Sequence, residues 1–159
     1  MKVERSLKKI DSIVLSNYIL NHYGPMSHLK LQKLLYYCDA YHLAYFDEEL
    51  IEDKFEAWVH GPVSRKVFAT LRDRSLLYSD ISYDGKGEED IIFKSLSTEQ
   101  QELIISVLEM LKSWTGLELE KATHDELPWL RARAGYDAAS PCHVEISKED
   151  MRTYYKKDL

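Results

Sequence analysis

Cysteine is nearly absent. Cys38 and Cys142 are the two in a chain of 159 residues, too few for a disulfide framework, which points to a reducing compartment, the cytoplasm. The opening Met1-Lys2-Val3-Glu4-Arg5 leads into no apolar signal core, in keeping with that reading. Long apolar runs are missing too. A bilayer-crossing helix needs about 20 apolar residues, and the greasiest stretch is interrupted by Lys30, Lys33 and Asp39, so no membrane association is expected. The six glycines sit mostly at turns. They form no phosphate-binding loop, no dinucleotide fingerprint and no nucleophile elbow, and His-Glu-x-x-His is absent as well.

Positive charge is also in deficit, with 21 basic against 27 acidic side chains and a net charge of −6. Such a balance repels a phosphate backbone unless the basic residues gather on one face. Two small clusters, Lys30 with Lys33 and Arg72 with Arg74, sit among acidic residues and read as solvated helix faces. Nucleic acid is therefore a disfavoured partner. What the chain does have is 45% apolar and 30% charged residues, a globular composition long enough to close a core as one domain over residues 1–159.

Apolar periodicity predicts a mainly helical protein. Ile13, Val14, Tyr18 and Ile19 fall near a helical period behind a capping Asp11, and Gly24-Pro25 ends that helix. Ser27 caps a second helix to about Phe46 whose stripe is Leu31, Leu34, Leu35, Cys38, His42 and Tyr45. Its other faces carry Tyr36, Tyr37, Ala40, Leu43 and Ala44, which marks it as the buried centre. A short extended run meets Gly61-Pro62 before Ser64 opens a third helix to about Arg72. Ile81, Tyr83, Ile91 and Phe93 alternate around a polar turn and read as a small hairpin or loop. Ser97 to Gln100 is a capping box before Leu103, Ile104, Val107, Leu108 and Leu111, with Trp114 closing the apolar face. Thr115 starts a short helix to about Thr123, Pro128-Trp129 bends the chain, and Ser147 with Asp150 opens a last helix. The expectation is a compact bundle of about six helices around a buried central helix, with at most one small hairpin near Ile81 to Phe93.

Chemistry finds little purchase. Cys38 and His42 lie four apart on one helical face, but inside the apolar stripe, and the adjacent Cys142 and His143 diverge in direction, so packed core residues outrank a metal site. His60 or His124, with Asp125 or Glu126, could orient a base, yet nothing specifies a nucleophile. Histidines beside Gly-Pro and before Pro-Trp have a structural use in satisfying backbone groups where helices end. No enzymatic activity, cofactor or metal is expected.

Three segments together resemble a known family. Leu29-Lys30-Leu31-Gln32-Lys33-Leu34-Leu35-Tyr36-Tyr37 looks like its signature helix, Ala57-Trp58-Val59-His60-Gly61-Pro62-Val63 like its central motif, and Thr123-His124-Asp125-Glu126-Leu127-Pro128-Trp129 like its C-terminal motif. The family is the Panacea domain, also called the SocA-like antitoxin domain and often phage-associated; order and spacing match across about residues 10–155. The resemblance implies an antitoxin that neutralises a cognate protein toxin by direct contact, or alternatively an adaptor delivering a toxin to a Clp protease. No separate helix-turn-helix segment is evident at either end, so operator binding is not expected.

Two expectations about sites follow. Trp58, His60, Gly61, Pro62, His124, Pro128 and Trp129 should meet at one junction, because both later motifs carry Trp, His and Pro at a helix boundary, with the imidazoles satisfying local backbone. Lys30, Lys33 and Tyr37 share one helical face by their i, i+3, i+7 spacing and are the partner-binding candidates. The eleven tyrosines exceed what a small core needs and suit an interface, which some of Tyr36, Tyr37, Tyr154 and Tyr155 could face, although core packing is the commoner role for any one of them.

Overall fold

The computed structural model describes residues 6–159, and it is mainly α-helical, as the periodicity predicts. Eight α-helices and two small antiparallel sheets occur among the described residues. Helix α1 (Ser12–Tyr23) is capped by the Asp11 carboxylate, which accepts from the Ile13 amide at 2.8 Å. Helix α2 (His28–Phe46) is capped by Ser27, whose hydroxyl accepts from the Lys30 amide at 3.1 Å. It is the structural centre, burying Leu31, Leu34, Leu35, Tyr36, Cys38 and Ala40 completely or nearly so.

Around α2 the chain lays its other elements. Strands β2 (Phe55–Trp58) and β3 (Gly61–Ser64) form a hairpin closed by Val59-His60, with Trp58 opposite Gly61. Helix α3 (Arg65–Leu71) follows directly, capped by Ser64. Helices α5 (Thr98–Leu111) and α6 (Gly116–His124) each open with a complete capping box, Ser97/Gln100 and Thr115/Glu118, which satisfies amide donors at both ends of the motif. Helix α7 (Leu127–Ala132) has a proline in its first turn, and α8 (Lys148–Tyr155) is capped by Ser147. The most extensive packing on α2 comes from α8, then α5 and α6. Nearly all the buried apolar residues form one contiguous cluster. Cys38 and His42 belong to it or lie beside it, and the His42 imidazole is held between the Glu48 carbonyl at 2.6 Å and the Gln100 amide at 3.0 Å.

The segment expected as a hairpin near Ile81 to Phe93 is different. Ile81 sits in β4 (Asp80–Ile81), which pairs with the distant β1 (Met26–Ser27), while Ile91 and Phe93 lie on α4 (Glu88–Lys94). Glu88, Glu89 and Asp90 crowd the first turn of α4, where the helix dipole favours carboxylates, and Phe93 stacks on Tyr18 at 4.0 Å between centroids. The hairpin forms instead at β2–β3, with Gly61-Pro62 opening its second strand. Helices α4 and α7 account for the excess over six. Trp114 does not close the buried face of α5: it lies beyond that helix's end and is 39% exposed. No helix among the described residues is long and apolar enough to cross a membrane.

Candidate functional site

The three sequence motifs converge. Gln32 of α2 reaches β3 with its amide, accepting from the Ser64 amide at 2.9 Å and donating to the Ser64 carbonyl at 3.2 Å. The next residue, Lys33, is fully buried, and its Nζ donates to the Pro62 carbonyl at 2.8 Å. Burial pulls the Lys33 pKa down to about 7, against the opposing charge of Glu120.

Gly61 makes this approach possible. Its φ is +93°, and a Cβ there would lie 2.6 Å from Lys33 Cε and 2.8 Å from Thr123 Oγ1. Only glycine satisfies both the left-handed backbone and the missing volume. Val63 and Thr123 are buried, and Thr123 donates its hydroxyl back to the Glu120 carbonyl at 2.7 Å.

The second and third motifs meet through Trp129, whose Nε1 donates to the Trp58 carbonyl at 2.8 Å. His124 stacks on the Trp129 ring at 4.1 Å, and burial holds its pKa below the usual histidine value, against the opposing charge of Glu120. Pro128 is buried at the start of α7, where its missing amide hydrogen costs nothing. Arg133, which sequence reasoning missed, completes the junction: its guanidinium lies over the Trp129 ring and donates to the Ala57 carbonyl at 2.8 Å. The expected meeting of the two Trp-His-Pro motifs is therefore present in the geometry.

The imidazoles behave less uniformly than expected. His60 Nδ1 faces side chains, the Tyr78 hydroxyl at 3.2 Å and Glu120 Oε1 at 3.4 Å. His124 Nε2 is buried without a hydrogen-bond partner among the described residues.

The expected partner-binding face of α2 is not a face at all. Lys33 is fully buried and Tyr37 is 4% exposed, because α2 is covered on nearly every side, and a shared side of a buried helix is not a surface. Lys30 alone reaches the surface, where its Nζ donates to the Lys112 carbonyl at the end of α5. The tyrosines similarly turn inward. Tyr36 and Tyr155 meet hydroxyl to hydroxyl at 3.1 Å, and Tyr37 and Tyr155 both donate to Glu126 Oε1 at 2.7 Å. Glu126 lies inside the C-terminal motif, but its partners on α2 and α8 are remote in sequence.

Two arrangements thus emerge, a buried junction that organises the motifs and a tyrosine–carboxylate cluster beside α6. No curated protein and no solved structure matches the chain. The family model for the antitoxin SocA-like, Panacea domain matches residues 31–130, well over half of the chain and all three motifs in nearly their full extent. The chain belongs to the SocA-like Panacea domain family of antitoxin-like proteins.

Proposed function

We propose that the whole chain works as one cytoplasmic domain, the antitoxin of a toxin–antitoxin pair, and neutralises its cognate protein toxin by direct contact. Family membership over residues 31–130 is the observation that carries this reading. The motif residues serve it indirectly, since most of them are buried and build the scaffold rather than the contact surface.

The contact surface is best sought around the joint of α5 and α6. Met110 is 53%, Trp114 39% and Leu117 60% exposed there, and Lys30 reaches the same joint through Lys112. Exposed methionine and tryptophan beside polar residues are the composition of an interface core with its rim. A standard interface of about 800 Å² per partner would occupy roughly a tenth of the 8472 Å² surface.

The test is co-expression with the product of the neighbouring reading frame. Growth restored together with a purifiable complex supports inhibition by contact. Loss of the toxin that depends on a Clp protease would replace inhibition by delivery, and rescue with no contact of any kind would overturn the reading.

A further inference from the structure

A cavity of about 160 Å³ opens beside the α5–α6 joint, walled by Tyr37 and Tyr41 of α2, Met110 of α5, Trp114 and Leu119, with Glu126 among its lining. The walls are aromatic and aliphatic, and the one carboxylate is unusually placed. Glu126 Oε1 already accepts two hydrogen bonds, from the Tyr37 and Tyr155 hydroxyls at 2.7 Å each. Oε2 has no hydrogen-bond partner and no cation within ion-pair distance among the described residues, and it is not sealed from solvent. Burial raises the Glu126 pKa, although the two tyrosine hydroxyls and Lys157 oppose that.

We propose that this cavity is a receptor for a single lysine side chain projected by the protein partner. The assignment rests on the antitoxin reading for the identity of the partner as a protein, and on the cavity for its chemistry. An alkylammonium matches every wall. Its methylene stem packs on the exposed Met110, its charge lies beside the Tyr41 and Trp114 rings that line the cavity, and its head takes the open carboxylate oxygen. Tyr37 and Tyr41 are stacked at 6.2 Å between centroids, and both hydroxyls are already committed, Tyr41 donating to Asp158 at 3.0 Å. The pocket therefore offers no spare hydroxyl donor from these two residues, as a cation requires.

Lysine is favoured over arginine by the number of acceptors. A guanidinium pairs best with both oxygens of a carboxylate in a fork, and one of these two is occupied twice. A compact ammonium needs only the other. A neutral apolar side chain would fill the volume but leave the carboxylate desolvated and unpaired, which is costly.

The probes are the N-acetyl methylamides of lysine, norleucine and arginine, titrated separately into the full chain while the indole N–H signal of Trp114 is followed by NMR. The lysine probe is expected to give a saturable shift. The norleucine probe should bind about tenfold more weakly, and Glu126→Gln, which keeps the acceptor for both tyrosines, should weaken the lysine probe by a similar factor. Equal or tighter binding of norleucine would make the cavity a plain apolar groove. Tighter binding of arginine would overturn the preference for an ammonium, and no saturable shift with any probe would remove the site. The norleucine comparison needs no variant, so the proposal stays testable even if Glu126→Gln does not fold. Because no toxin is in the tube, failure here leaves the antitoxin reading standing, and failure of toxin rescue leaves this result unaffected.

Discussion

The side chain of Lys33 is sealed within the protein and donates to the carbonyl of Pro62 at 2.8 Å, so that a lysine of the first motif is held by the backbone of the second. An ammonium has three donors, and this one has a single hydrogen-bond partner among the described residues. The cost of burial appears as a pKa drawn down from 10.5 to about 7.

That relationship has a measurable consequence. The folded pKa lies below the unfolded value, so between about pH 7 and 10 the unfolded chain holds a proton that the folded chain does not, and stability rises with pH through that window. The penalty is fully present below pH 7 and amounts to about 5 kcal/mol. Lys33→Met removes it while leaving the Pro62 carbonyl unpaired, a partial offset. Urea unfolding at pH 7 should find the variant more stable by about 2 kcal/mol, with the rise between pH 7 and 8.5 gone. The comparison stops short of 9, where the thiol of Cys38, its pKa pushed up by burial, begins to contribute in the opposite sense.

Gly61→Ala tests the close approach behind the same contact. The new methyl meets Lys33 and Thr123 as well as an unfavourable φ, and a loss of about 3 kcal/mol is expected. Gly87 provides the control, since its φ is +95° with nothing within 4 Å of the added Cβ. Gly87→Ala should therefore cost only the backbone strain, about 1 kcal/mol. Equal midpoints for the two variants in urea would mean that crowding at Gly61 has no energetic weight.

Acid should unfold the protein through its buried histidines. Burial lowers the pKa values of His28, His42 and His124 below 6.5. The unfolded chain then takes up protons that the folded chain refuses, and stability falls as pH drops from about 6.5 toward 5. Calorimetry in buffers of different ionisation enthalpy should show proton uptake on unfolding in that range. Asp39 and Glu126, whose carboxyl pKa values burial raises, release protons on unfolding and oppose this, so absence of net uptake would mean that the imidazoles do not dominate the acid limb.

Much of the fold was legible because it was written locally. The stripe on α2, the capping box of α5 and the Thr115 start of α6 need only neighbours within a few residues. The meeting of Trp58 with Trp129 was legible from the shared composition of two motifs, but not that a backbone carbonyl of one would serve the indole of the other. Ile91 and Phe93 misled because alternate apolar residues read as one face of a strand, whereas on α4 they point apart, Ile91 to solvent and Phe93 inward, and the decisive signals were Gly87 and the three acidic residues after it. The spacing of Lys30, Lys33 and Tyr37 was read correctly and their exposure was not. The apolar residues all around α2 already implied burial there, and a lysine is long enough to reach a carbonyl from inside. Arg133 gave no signal, and Glu126 stood out only as a possible partner of an imidazole, because the groups they serve lie on elements far away in the chain.

The antitoxin role stands most directly on whether this protein and the product of the adjacent reading frame form a complex that restores growth. Co-expression followed by size-exclusion chromatography should give one peak containing both chains and viable cells. Met110→Glu with Leu117→Glu, placed on exposed positions so that the fold is kept, should abolish both the peak and the rescue. Viable cells with the two chains eluting apart, and unchanged by the double substitution, would contradict it.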